Sequence, residues 1–468
     1  VTATAPPRTV LGQPHWFRVL FVVDVWERFS FYGMLAILYL YLVAPVAEGG
    51  LGLRAGAAAT GFGTYLALNF LAALPGGWVA DRVLGRRRAV LVGGAVIACG
   101  HGVLALPVGG ATAVGLGLVI VGTGLVKPSI AAMIGEHHRS RERREAAMSV
   151  FYMSVQISAL IAPLVTGLLA DRVGWHAAFG AAALGMAVGV VLYARGMHRL
   201  GDIGAPPSPR VAFTRQHVVL AVASAAAVVL LVAAGFAAPV LLAVVGVVVL
   251  VLPFVCLRRL RRHSGVDPAA LRALAVLMTA AALFWGLFAQ GGALLSLFAK
   301  ESTDRSVLGH VVPAGWFQSL PPLFLLVGAP VAAWLWLRLG GRANPAGKAS
   351  AGLLLAGAGF LVMASASLAA SDGPVTPWWL VAVYLLLACG ELAIGPIVLS
   401  AAAGTAPPGY EGRFVGLSWL FVATGVVVAA QLARLVEVVP GTVYFLGFGV
   451  LAVLAGVLLA LVRGRPRG

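Results

Sequence analysis

Apolar runs of about 20 residues recur along almost the whole chain: 16–45, 57–80, 88–107, 112–134, 146–171, 175–196, 216–236, 238–257, 270–299, 313–338, 348–370, 376–403, 411–436 and 442–463. A helix crossing the hydrocarbon core of a bilayer needs about that length. In lipid the backbone must satisfy its own polar groups, which leaves helices or closed barrels. Only 10% of the 468 residues are charged and 60% are hydrophobic, whereas soluble domains carry about 25% charged residues. Such a chain cannot cover a water-facing surface. Soluble enzymes, nucleic-acid-binding modules and disordered proteins are excluded, and the expected class is an all-α membrane protein of fourteen spans.

The net charge of +17 would suit a nucleic-acid partner were it spread over one face. Instead it sits in short clusters between apolar runs: Arg82 and Arg86 to Arg88; Arg139, Arg141, Arg143 and Arg144; Arg258, Arg259, Arg261 and Arg262; Arg338, Arg342 and Lys348; and Arg463, Arg465 and Arg467. Loops 108–111 and 371–375 contain no basic residue. This alternation follows the positive-inside rule. It predicts a multi-pass protein of the cell (inner) membrane with both termini cytoplasmic, lipid as its surroundings and no nucleic-acid partner. No cleavable signal peptide is expected, because the first apolar run is long and contains charges. Cys99, Cys256 and Cys389 lie singly in apolar runs, with no metal-binding spacing, and read as small core residues.

Spans 216–236 and 238–257 are Ala/Val/Leu runs without internal charge, following a linker with Pro206, Pro207 and Pro209. They read as an inserted lipid-facing hairpin. Its removal leaves six plus six, as for two bundles related as repeats. The expected division is an N-terminal bundle over 1–200, linker and hairpin over 201–268, and a C-terminal bundle over 269–468.

Ionisable residues at bilayer depth cost roughly 2.5–3.5 kcal/mol each and usually serve a function. Asp24, Glu27 and Arg28 share one face of the first helix. Arg28 lies about 18 Å beyond Trp16 along the axis, too deep for easy snorkelling. Lys127 lies in Gly122-Thr-Gly124-Leu-Val-Lys127-Pro128, and Glu391 in Gly390-Glu391-Leu-Ala-Ile-Gly395-Pro396. These matched Gly/Pro interruptions in the two halves point to a midplane substrate site. Asp24 and Glu27 can neutralise Arg28 and Lys127, whereas Glu391 has no basic partner in its own bundle. A lone buried carboxylate takes up a proton or meets a cation brought by the substrate, so a zwitterion longer than one amino acid fits. The alternative for each is an internal packing network. His101 reads as a hydrogen-bonded core histidine. The Gly77-Trp-Val-Ala-Asp81-Arg82-Val-Leu-Gly85-Arg86 loop reads as a structural charge clamp. Trp78, Trp316, Trp378 and Trp379 read as interface anchors. There is no HExxH motif and no Ser/His/Asp set on a shared face, so no enzyme is expected, and no metal.

These residues together resemble the proton-dependent oligopeptide transporter family of the major facilitator superfamily. The landmarks are Asp24-x-x-Glu27-Arg28-Phe-Ser-Phe-Tyr32-Gly33-Met34, Gly76-Gly77-Trp-x-Ala-Asp81-Arg82-x-Leu-Gly85, Phe151-Tyr152-Met153, Ala162-Pro163-Leu164, Phe284-Trp285, Trp316-Phe317-Gln318-Ser319, Gly390-Glu391-Leu and Ala406-Pro407-Pro408. The resemblance implies the major facilitator fold, a V-shaped cavity between two six-helix bundles, and uptake of di- and tripeptides with protons by alternating access. It implies no cofactor beyond the coupling proton, and a monomer is expected. It assigns substrate binding to Arg28, Tyr32, Phe70, Lys127, Gln156, Trp285, Ser319, Pro321 and Glu391, with Lys127 taking the peptide carboxylate and Glu391 the amine. It assigns proton coupling to Asp24, Glu27 and Glu391.

The chain departs from the family pattern in places. Asp24 replaces the usual Glu, Phe70 a Tyr, Gln156 an Asn and Pro321 an Asn. Leu35 and Ala289 stand where the family has an Arg and an acid that pair; joint loss avoids leaving one charge unpaired in the membrane. These departures define the alternative, a carrier of another organic ion or a weakly coupled facilitator on the same fold.

Overall fold

A computed structural model describes residues 13–136, 141–205, 223, 226–228, 230–232, 239–263, 265–307, 309–339, 344–407 and 410–463. The span expected over 216–236 lies largely outside these, as do Pro206, Pro207, Pro209, Arg139, Arg342, Pro408, Arg465 and Arg467. The long helices are α1 (His15–Val43), α2 (Ala55–Val79), α3 (Arg86–Leu104), α4 (Ala111–Glu136), α5 (Arg141–Arg172), α6 (Trp175–Gly196), α7 (Pro239–His263) and α8 (Pro268–Ala289). The short α9 (Leu294–Glu301) is followed by α10 (Leu320–Leu339), α11 (Pro345–Ala369), α12 (Trp378–Thr405), α13 (Glu411–Leu432) and α14 (Gly441–Arg463). A two-stranded antiparallel hairpin, β1 (Ser306–Val307) and β2 (His310–Val311), sits in the loop after α9. Among the described residues eleven helical segments are long and apolar enough to cross a membrane; α1, which carries Asp24, Glu27 and Arg28, is not among them.

The described residues form two compact units. The first comprises residues 1–37 and 68–237, the second 38–67 and 238–468. The end of α1 and the start of α2 therefore group with the C-terminal helices, a division that chain order alone does not suggest. Within the second unit the start of α2 is fastened by side chains: the Gly56 amide donates to Glu437 Oε1 (2.9 Å), Arg54 lies 3.3 Å from the same carboxylate, and Arg434 Nε donates to Thr60 Oγ1 (3.0 Å).

Lipid-embedded helices gain little from hydrophobic burial against each other, so small residues that permit close approach dominate their contacts. In the first unit a Cβ on Gly76 would lie 2.1 Å from the Gly124 carbonyl, and one on Gly122 2.5 Å from the Gly93 carbonyl, which sets α4 against α2 and α3. In the second unit a Cβ on Gly425 would lie 1.8 Å from the Ala282 carbonyl, which seats α13 on α8. Around these contacts the first unit buries Leu20 and Val23 of α1, Ile97 of α3, Val126 and Ile130 of α4, and Met186 and Tyr193 of α6.

Three expectations need correction. First, α4 and α12 run unbroken through Pro128 and Pro396; the glycines beside Lys127 and Glu391 serve close packing and do not interrupt the helix. The break falls instead within the run expected at 270–299, where Gln290–Gly292 forms a 3-10 turn between α8 and α9. Second, Cys99 and Cys389 are exposed on their helices and Cys256 is partly so, so they are lipid-facing small residues and not core. Third, His101 is fully buried, as a core histidine should be, yet neither ring nitrogen has a hydrogen-bond partner.

The Asp81 loop does act as a clamp. A π-turn over Ala80–Leu84 ends at Gly85, whose φ of 75° favours glycine, and Arg86 then reaches back to Asp81 at 2.7 Å. Trp78 and Trp378 are exposed near helix ends, as interface anchors require.

Candidate functional site

The charged face of α1 is positioned by α5. Ser154 Oγ donates to Asp24 Oδ2 (2.5 Å), Ser158 Oγ to the Val25 carbonyl (2.8 Å), and Thr166 Oγ1 to the Gly33 carbonyl (2.9 Å). Ser154, Ser158, Ala162 and Thr166 recur every fourth residue, a row of small side chains along one face of α5. Hydroxyls on such a row hydrogen-bond across helices in lipid. The spacing was a legible signal that reading from the charges alone passes over.

Asp24 and Glu27 are almost completely buried. Arg28 Nε lies 3.1 Å from Glu27 Oε2 and 3.5 Å from Asp24 Oδ1. One guanidinium thus answers both acids within a single helix turn. Both Glu27 oxygens and Asp24 Oδ1 lack a hydrogen-bond donor, so the pairing is electrostatic and poorly aligned.

Lys127, half-buried on α4, takes no part in an ion pair among the described residues. Its Nζ sits 4.2 Å from the centroid of the Phe31 ring and 6.0 Å from that of Phe70. The expected neutralisation therefore applies to Arg28, while Lys127 is held by an aromatic face. Phe31 also packs edge-on against Tyr32 (5.4 Å). The structure thus gathers Asp24, Glu27, Arg28, Lys127, Phe70 and, through Phe31, Tyr32. Gln156 is buried on α5.

In the second unit Glu391 is buried on α12, and its Oε2 has no hydrogen-bond partner. Trp285 packs edge-on against Phe284 (5.8 Å) and Phe288 (5.2 Å). Ser319 and Pro321 are buried where a 3-10 turn, Ala314–Ser319, enters α10. The neighbouring Gln318 is more telling. Its Nε2 donates to the Gly291 carbonyl and to Ser296 Oγ (2.6 Å), while Tyr384 OH (3.0 Å) and Ser296 Oγ (2.9 Å) also donate to Gly291. Three side chains thereby saturate the carbonyl exposed by the α8–α9 break, which explains the Trp316-Phe317-Gln318-Ser319 landmark.

Ala289 lies beside that break. It lines a void of about 10 Å³ with Ala59, Phe62, Gly63, Gly286, Val426 and Ala430 among its neighbours. An apolar seat has replaced the position where the resemblance places an acid.

Each unit thus carries an ionisable group within an apolar helix: Lys127 in the first, and in the second Glu391, whose Oε2 lacks a hydrogen-bond partner. The sequence profile of the POT family matches residues 87–451. The chain belongs to this family. The uncharacterized transporter YclF of Bacillus subtilis is 34% identical over 99% of this chain and 96% of its own length. Peptide transporter YePEPT of Yersinia enterocolitica is 35% identical over 89% of this chain and 86% of its own. A crystal structure of a peptide transporter of this family in complex with alafosfalin superposes with a TM-score of 0.89 at 35% identity, covering 98% of this chain and 96% of that one. As a member of the POT family, the protein is a multi-pass membrane transporter with the major facilitator fold, and not an enzyme.

Proposed function

We propose that this protein imports di- and tripeptides together with protons by alternating access, in the cell (inner) membrane with both termini cytoplasmic. Arg28 and Lys127 receive the peptide carboxylate, and Glu391 receives its amine. Tyr32, Phe70, Gln156, Trp285, Ser319 and Pro321 line the bound peptide. The observation that carries this reading is the state of Lys127: a cation within an apolar helix that, among the described residues, makes no ion pair and rests against the Phe31 and Phe70 rings. A cation–π contact is worth about 0.5–2 kcal/mol, weak enough to yield to a carboxylate. Protonation of Asp24 or Glu27 would release Arg28 to join it, which links proton uptake to substrate binding.

The test is uptake of labelled dialanine into liposomes containing purified protein, with and without an inward proton gradient at clamped membrane potential. Gradient-stimulated uptake, lost in both Lys127→Ala and Glu391→Gln, supports the proposal. Absence of dialanine transport, or full activity in either variant, overturns the peptide assignment. The apolar seat of Ala289 favours a second reading, an uncoupled carrier, for which uptake equilibrates and ignores the gradient.

A further inference from the structure

At the end of α1 near the N-terminus, an open groove of about 390 Å³ runs along the outer face of the first unit, lined by Arg18, Val19, Val22, Leu192, Arg195, Gly196 and Arg199. Two helix faces make it. On α1, Arg18 and Val22 are four residues apart; on α6 and the 3-10 turn that follows, Leu192, Arg195 and Arg199 succeed one another on one side. Gly196 forms the floor, because a Cβ there would lie 3.1 Å from Val19. The polarity is graded along the groove. Arg199 and Leu192 are seven residues apart, about 10 Å along a helix, so the guanidinium groups cluster at one end and the valine and leucine side chains lead toward the membrane interior. Trp16, a residue type that settles at headgroup depth, lies two residues before Arg18, within about 3 Å along the helix axis.

None of the three arginines forms an ion pair among the described residues, and neither does Asp202, which follows the 3-10 turn Met197–Leu200. Three like charges bordering one apolar groove repel one another, and an anion that also brings hydrocarbon answers both the charge and the apolar wall. From this graded groove we infer a binding site for an anionic phospholipid: the three guanidinium groups take the headgroup phosphate and the Val22–Leu192 wall takes an acyl chain. Basic pockets between transmembrane helices are suited to such headgroups. A peptide-transport role neither requires nor supplies this site.

The experiment is native mass spectrometry of the delipidated full-length protein titrated with cardiolipin, with phosphatidylcholine of matched chains, and with inorganic phosphate. Cardiolipin is expected to bind at least about tenfold more tightly than phosphatidylcholine, given the favourable contribution of each arginine near an anionic surface. The triple variant Arg18→Gln/Arg195→Gln/Arg199→Gln should lose that preference, while Arg258→Gln/Arg261→Gln/Arg262→Gln, with the same change in net charge, keeps it. Leu192→Glu leaves the arginines in place and should also weaken cardiolipin. Equal retention by the triple variant, equal loss in the control, or an equal response to inorganic phosphate and to cardiolipin overturns the inference.

Discussion

Lys127 shows how a single residue's chemistry depends on what it is not paired with. Its charge, depth and helix are all legible in the sequence, since a lysine among apolar residues declares itself. Its partner is not, because a ring three helices earlier in the chain carries no charge pattern. Phe31→Leu preserves volume and removes the ring's negative face. It should reduce the specificity constant for dialanine by roughly 2- to 10-fold, the kinetic equivalent of about 0.5–1.4 kcal/mol of positioning. Its thermal midpoint should stay close to that of the parent. Uptake kinetics beside a melting curve separate this from a folding defect; a large loss of stability with unchanged kinetics would show that Phe31 only packs. His101 teaches the converse. Burial was readable from its place in an apolar run, but its lack of any hydrogen-bond partner depends on neighbours that periodicity cannot supply.

Among the elements, the spans were legible because each must be apolar over its full length, and their expected limits fall within a few residues of those observed for α3, α4 and α6. Interruptions were less legible. Gly122, Gly124 and Gly390 look like breaks but are contact points, since glycine is required equally where a helix unwinds and where a neighbour's backbone comes close. Gly425→Ala tests the second use. Its Cβ would meet the Ala282 carbonyl at 1.8 Å, and the neighbour is backbone that cannot rotate away. Overpacking of this kind costs typically about 1–3 kcal/mol, so the thermal midpoint of the purified protein should fall, whereas at Gly447, with nothing within 4 Å, alanine should be neutral. The true break, at Gln290–Gly292, is stabilised from a distance by Gln318. Gln318→Ala should destabilise the protein by about 1–3 kcal/mol through the polar groups it leaves unsatisfied, measured in the same melting experiment, and Gln318→Glu should not rescue it because a carboxylate cannot donate to the Gly291 carbonyl.

Across the whole molecule the open matter is where a proton can act once Ala289 occupies its apolar seat. The family resemblance exposed the departure, while the structure shows what surrounds it: Phe62, Gly63, Val426 and Ala430, with a void of only about 10 Å³. The void leaves little room for a carboxylate, the amide of Gln290 that also lines it already donates to Tyr444 OH (2.9 Å), and an acidic residue at bilayer depth costs roughly 2.5–3.5 kcal/mol. Ala289→Glu should therefore lower thermal stability without creating a working proton site. The acids that remain are Asp24 and Glu27, answered together by one guanidinium, and Glu391. If the α1 acids carry coupling, Asp24→Asn/Glu27→Gln should still equilibrate dialanine across liposomes but no longer concentrate it under an inward proton gradient, and Arg28 should then be permanently available to substrate. Steady-state accumulation ratios at clamped potential decide this. A double variant that still concentrates substrate would move the proton site to Glu391. A parent protein that never concentrates would mean that losing the acid at position 289 ended coupling, and that this member of the family works as a facilitator.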